Sequence, residues 1–458
     1  MPFPKKWIPV LSFLTVGFVV WLFKPLLPTP RIVWDIPADQ NGNGNEGQGV
    51  RLGVGISAEL SAQVQASVIR PQLSWNDGDL ETIQVLQQAR QAGEQKIIEE
   101  EQKANHLAAA AMPFKAGIPK AVGETYTKAL IVARTKEEDV LWIEENFGGN
   151  DNFKAVVYTV DDFDSEYHPL KNKGHEVMVY LSYIIDNYDN LSDFNIFMHS
   201  HRYAWHNDEL LEHDAVQMIS RLSSERVARE GFMNMRCHWD PGCPSWMHPG
   251  TVEEDINKQE ETILARSWSE LFPVDPIPNV LAQPCCAQFA VSKARIRSLP
   301  LARYVFYRDW LLRTSLSDYI SGRVWEYVWQ FVFTGQNVVC PKEHVCYCDG
   351  FGVCFGGEEQ YDGYYKRHND RVHLEEELNN WNNQNRRWEE ALEEKRNNLD
   401  DPDRPERPEV GKDLELQGRI SALNAWCHQT RQEAKEHGDV AMNRAREVGR
   451  PWVDGDGF

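Results

Sequence analysis

Between residues 128 and 198, three short apolar segments alternate with two amphipathic segments, and this alternation constrains the fold more than any other feature. The segments 129–133, 155–160 and 194–198 are short apolar runs, which predict buried strands. Apolar residues recur at helical spacing from Val177 to Tyr188, which predicts a helix with Asn172 as its cap. Strands that alternate with helices in this way indicate an α/β fold with a mostly parallel sheet flanked by helices.

The N-terminus carries a candidate membrane anchor. Lys5 and Lys6 precede an apolar run over residues 7–23, which is near the lower length limit of about 17 residues for a spanning helix. A cleaved signal peptide is the alternative, although no small-residue cleavage pattern follows the run. Because the positive charge precedes the run, we expect a single-pass type II membrane protein whose body lies in the Golgi or endoplasmic reticulum lumen.

Composition divides the chain into four predicted regions. Pro-, Gly- and Asn-rich sequence followed by Gln-, Glu- and Ala-rich sequence is typical of a linker and a helical stalk, through which the protein could form oligomers. The predicted regions are a cytosolic tip and anchor at 1–24, a linker and stalk at 25–127, a lumenal α/β domain at 128–356, and a charged, partly helical or disordered tail at 357–458.

The net charge excludes one class of partner. The chain has 48 Lys plus Arg and 69 Asp plus Glu, which gives a formal net charge of −21. A nucleic-acid-binding protein needs a basic surface, so the sequence predicts that this protein does not bind nucleic acid. Acidic residues are conspicuous in the stalk and tail. The negative net charge of the chain is therefore still compatible with a basic pocket for an anionic nucleotide sugar.

Eight of the nine cysteines lie in one part of the predicted domain. An even number in an oxidising lumen predicts up to four disulfides, whose connectivity stays open. A zinc cluster around residues 340–354 with His344 is the alternative, but it lacks the usual paired cysteine spacing. The residues predicted to form disulfides are Cys237, Cys243, Cys285, Cys286, Cys340, Cys346, Cys348 and Cys354. Separately, Asn190 begins an Asn-Leu-Ser sequon and is the predicted glycosylation site.

Two polar clusters follow the predicted strands, where ligands bind in α/β sheets. Asp162 and Asp164 follow the second strand, and such a pair either holds Mg²⁺ or Mn²⁺ against a diphosphate or forms a solvated turn. His199, His201 and Asp208 follow the third strand. They suit a metal ion or a general base with its orienting acid; surface and packing histidines are the alternative.

Four further side chains are candidates for binding or chemistry. Trp205 would stack on a sugar ring or pack in the core. Glu326, flanked by tryptophans, would be a desolvated base, or else a surface ion pair with Arg323. Arg295 follows a predicted strand and either binds a phosphate or carboxylate or begins a solvated helix.

Five motifs in order closely resemble the domain of unknown function 3431 family, which is common in fungi. The resemblance covers roughly residues 128–354 and brings no established activity. The motifs that carry it are Asn172–Glu176, Tyr180–Leu191, Phe197–His199, Cys285–Ser292 and Ser321–Glu326.

This family in turn looks like glycosyltransferases of the GT-A type, which have a Rossmann-related fold. That resemblance implies that Arg134 and Asp161 face a nucleotide sugar and that Gln288 lines the acceptor side. It also places the His199 cluster where those enzymes have a metal-binding Asp-x-Asp, which this chain lacks at that point. The predicted catalytic residues are Glu326 and His199; the predicted ligands for Mn²⁺ or Mg²⁺ are His199, His201 and Asp208; the predicted substrate-binding residues are Arg134, Asp161, Asp162, Asn172, Glu176, Trp205, Gln288, Arg295 and Arg323.

The leading functional hypothesis is a membrane-anchored glycosyltransferase-like protein that transfers a sugar from a nucleotide sugar to a glycan or glycoprotein. One alternative is a non-catalytic lumenal or cell-surface module that binds carbohydrate or protein. Another is a metal-dependent hydrolase that uses the histidine cluster.

Overall fold

The computed structural model of the protein describes residues 114–394 and 405–458. The predicted anchor, the linker and nearly all of the predicted stalk lie outside these residues. Among the helices in the described ranges, none combines the length and the hydropathy needed to cross a bilayer.

The domain is built around a mixed five-stranded sheet. The strands are β1 (Lys128–Arg134), β2 (Phe153–Thr159), β3 (Phe194–His199), β4 (Phe232–Asn234) and β5 (Phe289–Ser292). Their order across the sheet is β2-β1-β3-β5-β4. β1 pairs in parallel with β2 and β3, whereas β5 runs antiparallel to both β3 and β4. The expectation of a mostly parallel sheet is therefore corrected to a mixed sheet, because two of its four pairings are antiparallel.

Helices flank the sheet on both faces. Those of the α/β domain are α1 (Leu141–Phe147), α2 (Val177–Asp186), α3 (Ala215–Arg221), α4 (Ser224–Glu230), α5 (Glu261–Leu271), α6 (Lys293–Arg297), α7 (Leu301–Arg313), α8 (Asp318–Glu326), α9 (Trp329–Thr334) and α10 (Glu343–Phe351). The more C-terminal ones are α11 (Glu358–Glu394), α12 (Lys412–Gly438) and α13 (Ala441–Glu447).

The alternation of side chains along the strands divides the core into two layers. Successive strand residues point to opposite faces, so Phe197 and Phe289 join one buried cluster while Ile196 and Ala290 join the other. α2 covers the first face, and its buried Tyr180 packs on Phe197 and Phe289. Each large apolar side chain removed from water stabilises the fold by roughly 1.5–3 kcal/mol, so both faces of this sheet need their helical cover.

The helix boundaries correct the expected cap of α2. Asn172 is exposed and lies ahead of α2, whose first turn instead follows Glu176, so Asn172 does not cap it. Further along the chain, Tyr327 and Val328 separate α8 from α9. The Glu138 carboxylate accepts a hydrogen bond from the backbone N–H of Thr135 at 2.6 Å, but α1 begins six residues later, so this pair closes a turn and caps no helix.

All eight predicted cysteines form disulfides, which confirms that expectation and not the zinc alternative. The pairs are Cys237–Cys346, Cys243–Cys340, Cys285–Cys286 and Cys348–Cys354. The first two join the loop after β4 to the segment around α10. Cys427 is a buried free cysteine in α12.

The tail residues that the structure describes form a helical hairpin and a short third helix. α11 and α12 pack along each other, and Leu374 meets Leu416 and Ile420 in a small apolar cluster between them. The hairpin is tied to the α/β domain: Arg221 in α3 donates to the Asp439 carboxylate at 3.1 Å, just beyond α12. Charged residues of this long solvated hairpin, which lies outside the sheet, therefore contribute to the net charge of the chain.

Candidate functional site

The strand directions bring three chain segments to one edge of the sheet. β1 and β3 are parallel, so their carboxyl ends lie at the same edge; β5 is antiparallel to β3, so its beginning lies there too. His199 ends β3 and Gln288 precedes β5, and the backbone N–H of His199 donates to the Gln288 side-chain oxygen at 3.1 Å. Gln288 in turn donates to Asn207 at 3.1 Å. Gln288, a predicted site residue, therefore lies beside His199.

His199 is held between a second histidine and a glutamate. Its Nδ1 lies 2.8 Å from Nε2 of His206, so one of the two nitrogens must carry the shared hydrogen. Its Nε2 lies 3.9 Å from a carboxyl oxygen of Glu176. Burial lowers the pKa of His199 to about 3 and that of His206 to about 4, so both imidazoles are neutral at pH 7. A neutral pair of this kind can donate or accept a hydrogen bond with a bound ligand without placing a charge in the site.

Two carboxyl groups face the same region. Glu176 directly precedes α2, and burial, with a further contribution from the negative charge of Glu326, raises its pKa to about 8. Burial also raises the pKa of Glu326, whose Oε1 accepts a hydrogen bond from the backbone N–H of Cys286 at 3.0 Å. Glu176 is therefore mostly protonated at neutral pH and can donate a hydrogen bond. The hydrogen bond from Cys286 favours the charged form of Glu326, but burial outweighs it and leaves the pKa of Glu326 raised.

The proposed metal ligands do not converge. His201 is exposed and its Nε2 lies 3.5 Å from the Glu138 carboxylate, on the side of β1. Asp208 is buried, and its two oxygens accept hydrogen bonds from the backbone N–H groups of Leu210 and Cys237 at 3.1 and 2.9 Å. The histidine set therefore does not offer the donors that Mn²⁺ or Mg²⁺ would need at one point.

Where metal-ligating side chains do converge within the described ranges, the sulfurs are already bonded. The two groups are Cys285, Cys286 and Glu326, and Cys348, Cys354 and Glu447. In both groups the cysteines are joined by disulfides, and a disulfide sulfur is not the thiolate that binds a metal ion.

The residues at the ends of β1 and β2 form a separate polar group beside the histidines. The Asp161 carboxylate accepts from the backbone N–H of Lys136 at 2.9 Å, and Asp162 lies 3.3 Å from the Lys136 ammonium. Hydrogen bonding from the backbone N–H of Asp164 lowers the pKa of Asp162. Arg134 donates to a backbone carbonyl at 3.3 Å, and its Nε has no hydrogen-bond partner in the described part of the protein. Because that Nε is buried, an anionic ligand would have to contact Arg134 through the terminal nitrogens of its guanidinium.

Trp205 is an exposed aromatic side chain beside the histidines. It keeps 68% of its surface exposed, and its ring lies 5.7 Å from that of His206. The backbone carbonyl of Trp205 accepts from buried Arg236 at 3.2 Å, which anchors the loop while the ring stays free. The core alternative for Trp205 is therefore wrong, and the ring is available for stacking.

Three predicted binding residues lie elsewhere or hold the fold. Arg295 follows the carboxyl end of antiparallel β5, at the opposite edge of the sheet, where it donates to the backbone carbonyls of Phe333 and Glu230. Arg323 forms an ion pair with buried Glu260 at 2.9 Å, not with Glu326. Asn172 is exposed before α2, and the predicted glycosylation site Asn190 is exposed before β3.

Sequence reasoning missed the residues that orient the candidate acid and base. Gln283 donates to the backbone carbonyl of Glu326 at 2.6 Å, and the adjacent pair Cys285–Cys286 closes a disulfide next to it. The adjacent cysteines were the available signal. The direct pairing of neighbours was one of many connectivities, however, and the sequence did not favour it.

Comparison with known proteins identifies the family. Residues 130–349 match the family described as "Protein of unknown function (DUF3431)", which confirms the resemblance seen in the motifs, and the α/β domain belongs to this family. No curated protein and no solved structure matched the chain.

Proposed function

We propose that this member of the DUF3431 family is a glycosyltransferase-like protein that transfers a sugar from a nucleotide sugar to a hydroxyl group of a glycan or glycoprotein. The observation that carries the proposal is the pair of His199 and Glu176 at the carboxyl edge of the sheet, together with the effect of the negative charge of Glu326 on the pKa of Glu176. A protonated carboxyl, a neutral imidazole and a second carboxyl are the groups that acid–base chemistry on a hydroxyl requires.

Glu326 is the proposed general base. An acceptor hydroxyl gives its proton to the Glu326 carboxylate as its oxygen bonds to the anomeric carbon of the donor sugar. The bond from that carbon to the phosphate oxygen breaks, and the nucleotide leaves as an anion. Desolvation raises the basicity of Glu326, and the N–H of Cys286 holds one of its oxygens in place.

Glu176 and His199 are proposed to stabilise the reacting groups. The protonated Glu176 carboxyl donates a hydrogen bond to the sugar or to the departing phosphate oxygen, since its pKa of about 8 keeps the proton in place at pH 7. His199 is neutral and is oriented by His206 at 2.8 Å. Its Nε2, near Glu176, is the nitrogen that would contact the substrate.

Arg134 and Trp205 are the proposed binding groups for the two substrates. Arg134 ends β1, and the terminal nitrogens of its guanidinium suit a diphosphate. Trp205 presents an exposed ring beside His206, which suits the apolar face of a sugar in the acceptor.

A divalent cation has no assigned step in this proposal. Because His201 lies against Glu138 and both Asp208 oxygens accept backbone hydrogen bonds, the predicted site does not fit Mn²⁺ or Mg²⁺, and the charge of a leaving diphosphate falls to Arg134 and the protonated Glu176. The type II anchor and the Golgi or endoplasmic reticulum location stay part of the proposal, on the sequence evidence of residues 5–24.

The test is a thermal-shift screen of the protein with UDP- and GDP-sugars, each with and without Mn²⁺, followed by transfer assays with any donor that binds. We expect stabilisation by one donor class, loss of that shift in Arg134→Ala, and loss of turnover with retained donor binding in Glu326→Gln. Glu137→Gln is the matched control, because Glu137 is exposed and lies outside the site.

Three outcomes contradict the proposal in different ways. If no donor raises the melting temperature, the proposal that the protein binds a nucleotide sugar is wrong. Binding of glycans without turnover would favour a non-catalytic carbohydrate-binding module, for which exposed Trp205 is the supporting observation. Release of inorganic phosphate or of cleaved glycan would favour a hydrolase.

A further inference from the structure

The segment 283–288 contains a disulfide between sequence neighbours, beside the candidate acid–base groups. Cys285 and Cys286 are bonded to each other and are 2% and 7% exposed. The other three disulfides join residues that are six or more positions apart. A bond between neighbours constrains mainly the backbone of its own segment, so its effect must be sought locally.

The backbone of this segment is held in an unusual conformation. Cys286 has a φ of 92° and Ala287 a φ of 50°, and neither residue is glycine. Residues with side chains rarely adopt positive φ, and each such residue persists only where the surroundings impose it. The neighbouring disulfide is a covalent constraint of that kind.

This segment contacts both proposed catalytic residues. The N–H of Cys286 donates to the Glu326 carboxylate at 3.0 Å, and Gln283 donates to the Glu326 backbone at 2.6 Å. At the other end, the Gln288 side chain accepts from the backbone N–H of His199 at 3.1 Å. A six-residue segment therefore sets where Glu326 and His199 stand relative to each other.

We infer that the Cys285–Cys286 disulfide is a positioning element that holds Glu326 and His199 in register, and that its reduction releases both contacts. In the reduced segment, Cys286 and Ala287 relax toward negative φ, which turns the Cys286 N–H away from Glu326 and shifts Gln288 from His199. The consequence of this positioning for catalysis rests on the proposed function, whereas the positioning of Glu326 and His199 itself does not.

The redox step is thiol–disulfide exchange with a dithiol. The dithiol transfers two electrons and two protons, the sulfur–sulfur bond of Cys285–Cys286 breaks into two thiols, and the dithiol closes to its own disulfide. Because the loop is the shortest of the four, its loss returns little entropy to the unfolded chain. The fold is therefore expected to survive the reduction while the site does not.

The test compares Cys285→Ser/Cys286→Ser with the control Cys348→Ser/Cys354→Ser, which removes another short-range disulfide in the segment at the end of α10. Hydrogen–deuterium exchange is measured on the full chain for peptides covering 197–207 and 283–289. We expect exchange at Cys286 and His199 to become about tenfold faster in the first variant, which is the effect of one lost hydrogen bond. The control should leave both peptides unchanged.

Two results would overturn the inference: unchanged exchange in both peptides, or faster exchange in 283–289 alone, since the second shows that His199 is held independently. If the serine variant does not fold, wild-type protein is titrated with dithiothreitol and the reduced pair is identified by alkylation and mass spectrometry before the same measurement. Adding Ala287→Gly to the serine variant should restore part of the protection, because glycine adopts positive φ without steric cost.

Donor binding separates this inference from the proposed function. If no nucleotide sugar binds to the wild type, the proposed function fails while the exchange data still decide the positioning. If a donor binds and exchange in both peptides is unaffected by the serine variant, the positioning fails alone.

Discussion

Replacing Glu176 by glutamine should make the protein more stable in alkaline solution. Burial raises the pKa of Glu176 from its ordinary 4.5 to about 8, so between these values the folded state holds a proton that the unfolded state has lost. Stability therefore falls as pH rises from 4.5 to 8 and then levels off. Each unit of pKa is worth about 1.4 kcal/mol, which sets an upper limit of about 5 kcal/mol on the destabilisation. Glutamine keeps the shape and a hydrogen-bond donor but never ionises.

The assay is urea unfolding of the wild type and Glu176→Gln at pH 5, 7 and 9, with Glu137→Gln as the exposed control. The variant should match the wild type within about 1 kcal/mol at pH 5 and exceed it by several kcal/mol at pH 9. His199 and His206, whose lowered pKa values make stability rise with pH below about 6.5, contribute equally to both proteins and cancel in the difference. A difference that stays constant from pH 5 to pH 9 would refute the assignment of a buried proton to Glu176.

Three further perturbations test the site and the framework. His199→Ala should abolish ligand binding or activity while the melting temperature stays within a few degrees of the wild type, and a fully active variant would remove the histidine pair from the site. Trp205→Ala should weaken glycan binding in calorimetry but change stability by no more than about 0.5 kcal/mol, since the ring is 68% exposed. Cys237→Ala/Cys346→Ala removes a disulfide whose loop is already mostly closed by Cys243–Cys340, so it should cost about 3 kcal/mol in denaturant unfolding, and a loss below 1 kcal/mol would show that the chain-entropy argument does not apply.

The strands and the main helix of the domain could be predicted because their signal is local. β1 is a run of residues without polar interruption, and the stripe from Val177 to Tyr188 has the period of a helix, so neighbours in sequence settle both. The direction of β5, by contrast, depends on contacts with residues that are distant in the sequence. Phe289–Ser292 reads as a buried strand in either orientation, and only its pairing with β3 makes the sheet mixed.

The same difference explains which site residues the sequence could supply. His199 was found because a strand end is recognisable, and its placement follows from the fold. Arg295 was misplaced for the same reason: the strand end it follows was assigned to the wrong edge, since an antiparallel β5 sends its carboxyl end away from His199. One error of strand direction thus moved a cation from the opposite edge of the sheet into the predicted site.

The charged state of the site also depends on tertiary contacts that no motif contains. Glu176 and Glu326 are ordinary carboxylates in sequence, and burial before α2 and at the end of α8 raises the pKa of both. The negative charge of Glu326 contributes to the raised pKa of Glu176, so a proton on Glu176 favours the charge on Glu326. The N–H of Cys286 also stabilises the charge on Glu326, the proposed base. In the inference drawn above, the adjacent disulfide fixes the direction of that N–H, so the proposed base would depend on two neighbouring cysteines that the sequence presents as part of a structural framework.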